Sequence, residues 1–184
     1  MPELFVTNFN RNFTGVSATA AGVIRQQVGQ YDLRLVGHPL PGAPAPISRA
    51  EAKRLSRQRP EGRPFAIWHV RRNPEMQTAI WVRDVLRLPV RIVFTSAAQR
   101  RHSAFPRWLI SRMDAVIATT DRAAEFVPHV RAVVPHGVDT ALYAPAPDRA
   151  AAWAATGFPG ARGIATVGRI RPEKGTDVFV DSLL

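Results

Sequence analysis

Cysteine is absent from this 184-residue chain, which excludes disulfides and thiolate metal centres and fits a reducing compartment. Long apolar runs are missing as well. Nothing approaches the roughly 18–20 consecutive apolar residues that a membrane-spanning helix needs. The opening MPELFVTNFN has no basic region ahead of an apolar segment, so it does not read as a secretory leader. The expectation is a soluble, cytoplasmic protein. Acidic residues are scarce: 14 Asp and Glu stand against 25 Lys and Arg, for a net charge of +11. No GxGxxG follows the first apolar run, which excludes the dinucleotide fingerprint. No DxD motif or His cluster offers metal ligands, and no Ser- or Cys-centred triad is evident. A repeat of about 20–50 residues is also lacking.

What is present is an alternation of two patterns. With 46% hydrophobic residues, the chain can bury one full core but is too short for two domains of ordinary size. One complete domain plus a remnant is expected. Residues 4–9, 32–38, 65–70, 90–96, 114–120 and 131–139 read as strands. Residues 17–28, 47–58, 73–87, 105–113 and 121–127 read as helices, the third opened by Asn73 and Pro74. Strands alternating with helices predict an α/β fold, a doubly wound parallel sheet of six or seven strands over residues 1–139. Ligands bind such sheets beyond the carboxyl ends of the strands. Residues 140–162, rich in Ala and Pro, read as a linker. A new strand is expected from Gly163, followed by a partial helix that ends at Leu184.

The basic excess favours an anionic partner, and its residues gather in loops. NFTGVSAT places Gly15 where a strand turns into a helix; helix N-termini attract anions, and Gly15 lets a ligand approach the backbone. IWHVRRNPEM places His69, Arg71, Arg72 and Glu75 just past a strand end, where two arginines suit a phosphorylated or acidic ligand. AQRRH adds Arg100, Arg101 and His102 after the next strand. VGRIRPEKG crowds Arg169, Arg171 and Lys174 between Gly168 and Gly175. For each cluster the plain alternative is a solvated turn, and for His69 a structural histidine.

These stretches carry a family resemblance. HGVD (136–139) and VGRIRPEKGTDVFVDSLL resemble the hinge region of retaining GT-B glycosyltransferases. FTGVSATA, IWHVRRNPEM and VFTSAAQRRHSAFPRWLISRMDAVIATT resemble the lipopolysaccharide core mannosyltransferases in particular. The resemblance spans nearly the whole chain and implies a Rossmann-like acceptor-side domain at 1–139, with 163–184 opening a truncated donor-binding domain. It implies that Arg169 and Lys174 grip the diphosphate of a nucleotide sugar, GDP-mannose being the expected donor, with Gly15 facing the same group. His69, Arg71, Arg72, Glu75, Arg100 and Arg101 would then face an anionic acceptor such as a lipopolysaccharide core. Transfer with retention, without a metal or other cofactor, is implied too. The sequence departs from the family where a His is common after VFTS: Ser96, Ala97 and Ala98 stand there, and His102 is the candidate catalytic residue. His136 replaces the usual Asn of the hinge. The glutamates that hold the donor sugar and ribose in this family would lie past Leu184, so the chain is expected to be an inactive fragment.

Two rival readings stay open. A non-catalytic binding module for an anionic ligand or membrane surface is one: residues 47–63 hold six Arg or Lys and could rest on acidic lipid at the inner face of the cytoplasmic membrane. Nucleic-acid binding is the other. It is disfavoured because aromatic residues are only 8% and no zinc or helix-turn-helix signature accompanies the charge, so no nucleic-acid partner is expected.

Overall fold

A computed structural model of the chain describes residues 1–168, 170 and 174–183. The chain divides into two compact units, Met1–Asp139 and Thr140–Leu184.

The first unit is a six-stranded parallel sheet in the order β2-β1-β3-β4-β5-β6. Its strands are β1 (Leu4–Asn8), β2 (Leu33–Gly37), β3 (Ala66–Val70), β4 (Val90–Ser96), β5 (Ala115–Ala118) and β6 (Val130–Val133). This is the doubly wound α/β fold expected from the alternating pattern. The helices are α1 (Gly15–Gln27), α2 (Arg49–Leu55), α3 (Asn73–Ile80), α4 (Ala104–Ser111) and the short α5 (Asp121–Ala124).

Period-two alternation along buried strands splits the core in two. Leu4 and Val6 of β1 join Leu33, Leu35 and, from α1, the small Ala20 and Ala21 and the larger Ile24 on one face. Phe5 points the other way, into a larger cluster with Trp68, Val70, Met76, Ile92, Phe94, Leu109 and Ile110. Trp68, the largest fully buried side chain, packs its ring 5.6 Å from that of Phe5. Its indole N–H donates to the Ser56 hydroxyl at 3.0 Å, and Ser56 donates back to the Ala52 carbonyl. A buried indole left unbonded would cost about 1–3 kcal/mol, so the end of α2 is fixed to β3.

Residues 73–87, read as one helix, are α-helical only to Ile80. A π-helical turn, Trp81–Val85, follows, with the Leu86 N–H donating to the Trp81 carbonyl at 3.0 Å. Arg87 then adopts a left-handed conformation (φ 53°) and stops the helix. Arg83 pairs with Asp84 and Asp114, and Arg112 with Asp84, tying this turn to the start of β5. Two guanidinium groups pull the Asp84 carboxyl down to about 2.

In the second unit the described residues form α6 (Arg149–Ala155) and α7 (Thr176–Asp181), neither with a buried residue. Residues 163–168 form no strand, a correction to the expectation. A strand exists through its ladder hydrogen bonds, and among the described residues this apolar run pairs with no strand. Ile164 and Val167 stand 75% and 95% exposed. Among the described residues no helix is long and apolar enough to cross a membrane.

Candidate functional site

The strand order reverses direction at the β1/β3 boundary, with the chain leaving β1 towards one edge and β3 towards the other. The loops after these strands diverge there and open a crevice at the carboxyl edge. Two neighbouring arginines after β3 use that crevice differently.

Arg72 turns towards the β1–α1 loop. Its Nη1 donates to Asn8 Oδ1 (3.1 Å) and Glu75 Oε1 (3.2 Å), and its Nη2 to the hydroxyls of Thr14 (3.1 Å) and Ser17 (2.9 Å). Glu75, in the first turn of α3, is fully buried. It accepts from the Thr7 hydroxyl (2.9 Å) and from the backbone N–H groups of Phe9 (3.1 Å) and Arg71 (2.8 Å). Thr14 also caps α1 through the Ser17 N–H. Arg72 and Glu75 therefore clasp the two loops together, and Glu75 was expected to face an acceptor. That expectation is corrected: both oxygens are occupied by internal donors and closed to solvent.

His69 is corrected in the same sense. It is buried on β3, its Nε2 2.7 Å from Thr95 Oγ1 and its Nδ1 3.4 Å from Arg71 Nη2. Burial, reinforced by the Arg71 charge, holds it well below its ordinary 6.5, so the ring is neutral. A guanidinium can only donate; Nδ1 is therefore the acceptor and the proton sits on Nε2, bonded to Thr95.

Arg71 itself is 8% exposed, and its Nε and Nη1 have no hydrogen-bond partner. Burial lowers it from 12.5 to about 10, with Glu75 opposing and Arg72 adding to the fall; it remains a cation at neutral pH. Arg71 lines an open cavity of about 480 Å³ whose other walls include Gly15, Ser96, His102 and His136. Among the described residues, five buried side-chain polar atoms lack a partner: Arg71 Nε and Nη1, Ser96 Oγ, His102 Nε2 and Gln27 Oε1. Four of the five belong to residues of this one cavity. Buried polar groups are otherwise almost always bonded, so their concentration marks a place for a polar ligand.

Gly15 opens α1, whose first N–H groups have no intrahelical partner. A Cβ built there meets nothing within 4 Å, so packing does not require the glycine; its missing side chain widens the cavity. His102 is half-buried, and burial followed by the Arg100 charge depresses its pKa, leaving it neutral at pH 7. Arg100 and Arg101 lie exposed outside the cavity lining. The walls given by Thr95 and Ser96 were not anticipated; their signal was the polar end of VFTS. Lys174 is exposed in the second unit, and Arg169 lies outside the described residues.

Known proteins resemble this chain closely. The lipopolysaccharide core biosynthesis mannosyltransferase LpsB of Rhizobium meliloti (strain 1021) is 42% identical over 187 aligned positions, covering 99% of this chain and 52% of the relative. The lipopolysaccharide core biosynthesis mannosyltransferase LpcC of Rhizobium leguminosarum bv. viciae is 40% identical over 185 positions, with the same coverage. The chain thus spans about half the length of these relatives. No family model matches it.

Proposed function

We propose that this chain, similar over 99% of its length to lipopolysaccharide core mannosyltransferases, forms the acceptor-side part of a glycosyltransferase that moves mannose from GDP-mannose onto a lipopolysaccharide core. The observation that carries this reading is the cavity at the β1/β3 switch point, where Arg71, Ser96 and His102 hold four unpartnered polar atoms. A guanidinium with Nε and Nη1 open offers charge-assisted donors to a carboxylate or phosphate. Ser96 and neutral His102 offer hydrogen bonds to sugar hydroxyls. The ligand that suits this set is an acidic sugar.

Arg71 holds the acceptor's anionic group and so fixes which hydroxyl meets the donor; such positioning lowers the barrier by prepaying orientation. On the donor side, the family resemblance gives Arg169 and Lys174 the diphosphate. There a fork and a point charge stabilise the charge that grows as the nucleoside diphosphate departs. Side-chain cations do this without a metal, and transfer proceeds with retention. Because the relatives are about twice as long, the 184 residues alone bind acceptor but transfer slowly.

The test pairs calorimetric titration of a deacylated lipopolysaccharide core with a transfer assay from GDP-mannose, with UDP- and ADP-sugars as controls. Acceptor binding with little transfer is expected. Robust transfer by these 184 residues would remove the claim of an incomplete donor side, and absence of acceptor binding would remove the acceptor assignment.

A further inference from the structure

Helix α4 presents two surfaces of opposite kind. Leu109 and Ile110 are buried in the core, whereas Phe105 and Trp108, one turn apart, are 52% and 54% exposed. Their rings stack at 6.2 Å, 16° from parallel. Two large aromatic rings held in register on an outer helix face are costly to leave in water. The charge around them is mostly basic, and the flanking acids Asp84 and Asp114 are paired with Arg112 and Arg91. Residues 85–113 contain six arginines and no Asp or Glu. Of these, Arg100, Arg101 and Arg107 are exposed and make no ion pair.

The other basic stretch, 47–63, lacks this combination. Arg49 stacks on Phe9 at 3.8 Å, Lys53 lies over Trp81 at 4.9 Å, Arg54 pairs with Glu51 and Arg63 with Glu3. No large apolar side chain is exposed there. Four of its six cations are engaged with the protein itself, and the exposed aromatic beside them, Trp81, already lies under Lys53.

We infer that the outer face of α4 and the loop before it dock on an anionic phospholipid surface. Trp and Phe sit at headgroup depth with their rings in the acyl boundary, while Arg100, Arg101 and Arg107 reach lipid phosphates through flexible stems. Phe13, 61% exposed in the β1–α1 loop, lies on the same carboxyl edge of the sheet and extends the rim. The inference rests on α4 and does not depend on what the cavity binds.

The test is co-sedimentation of the 184-residue chain with vesicles of phosphatidylcholine alone or mixed with phosphatidylglycerol. Binding to the mixed vesicles, weakened by salt, is expected. Each Arg→Gln change at Arg100, Arg101 or Arg107 should weaken partition about fivefold. Phe105→Ser with Trp108→Ser should weaken it about tenfold or more, with thermal unfolding followed to confirm a folded chain. Trp108→Phe should keep binding but lose fluorescence quenching by brominated phosphatidylcholine, and Arg49→Gln with Lys53→Gln should change nothing. Equal binding to both vesicles, no binding, insensitivity to the α4 changes, or a dimer that Trp108→Ser dissociates would each overturn the inference.

Discussion

Arg71 and Arg72 are adjacent in sequence and opposite in circumstance. Arg72 spends its guanidinium on four acceptors from Asn8, Thr14, Ser17 and Glu75. Arg71 keeps Nε and Nη1 unbonded though it is nearly as buried as the core. Evolutionary tuning for stability alone has no use for a desolvated, half-satisfied cation, which costs free energy that apolar packing would not. The difference separates a clasp that holds the loops from the cation proposed to meet a ligand, and it makes the two positions respond to substitution in opposite ways.

The clasp should show the largest effect. Glu75→Gln leaves the clasp cations without their buried counter-charge; breaking such a pair costs about 3–5 kcal/mol, a fall of roughly 10 °C in Tm for a chain of this size. Thermal unfolding by circular dichroism checks this, and an unchanged Tm would erase the clasp. Arg72→Met should cost less, about 2 kcal/mol, because Glu75 keeps the Thr7 hydroxyl and two backbone donors.

Arg71→Met should leave Tm unchanged or raise it by a few degrees, since the buried charge it removes costs more than the long hydrogen bond to His69 Nδ1 that is lost with it. A marked fall would place Arg71 with the clasp and end the contrast.

A smaller effect lies in pH. The folded His69 titrates well below its ordinary 6.5. Between those two values the unfolded chain binds the extra proton, so stability rises with pH through that window, is complete above 6.5, and is lost as the solution is acidified. His69→Gln should flatten this slope in urea unfolding measured across acid to neutral pH; an equal slope would show that His69 does not carry it.

Much of the fold was legible because strands buried on both faces read as apolar runs. The expected strand 90–96 is Val90–Ser96, and 65–70 is Ala66–Val70. The π turn at Trp81 was not, since hydrophobic spacing barely distinguishes it from the α-helix before it. At residues 163–168 an apolar run misled, because strand formation depends on a pairing edge that local pattern cannot supply. The switch-point cavity was legible in part: Gly15, Arg71 and His102 line it. His69, Arg72 and Glu75 were placed beside them by spacing alone. Which way a side chain leaves a loop is decided by the acceptors it meets, here Asn8, Thr14 and Ser17, more than fifty residues away in sequence.

The account rests most heavily on Arg71 as a cation held for an anionic sugar. Calorimetric titration of deacylated lipopolysaccharide core into the chain and into Arg71→Met tests this directly, with Tm measured on the same samples. The account predicts saturable binding that weakens about tenfold to a hundredfold in Arg71→Met while Tm holds or rises. Equal binding by both proteins, or a loss of binding accompanied by a lowered Tm, would contradict it.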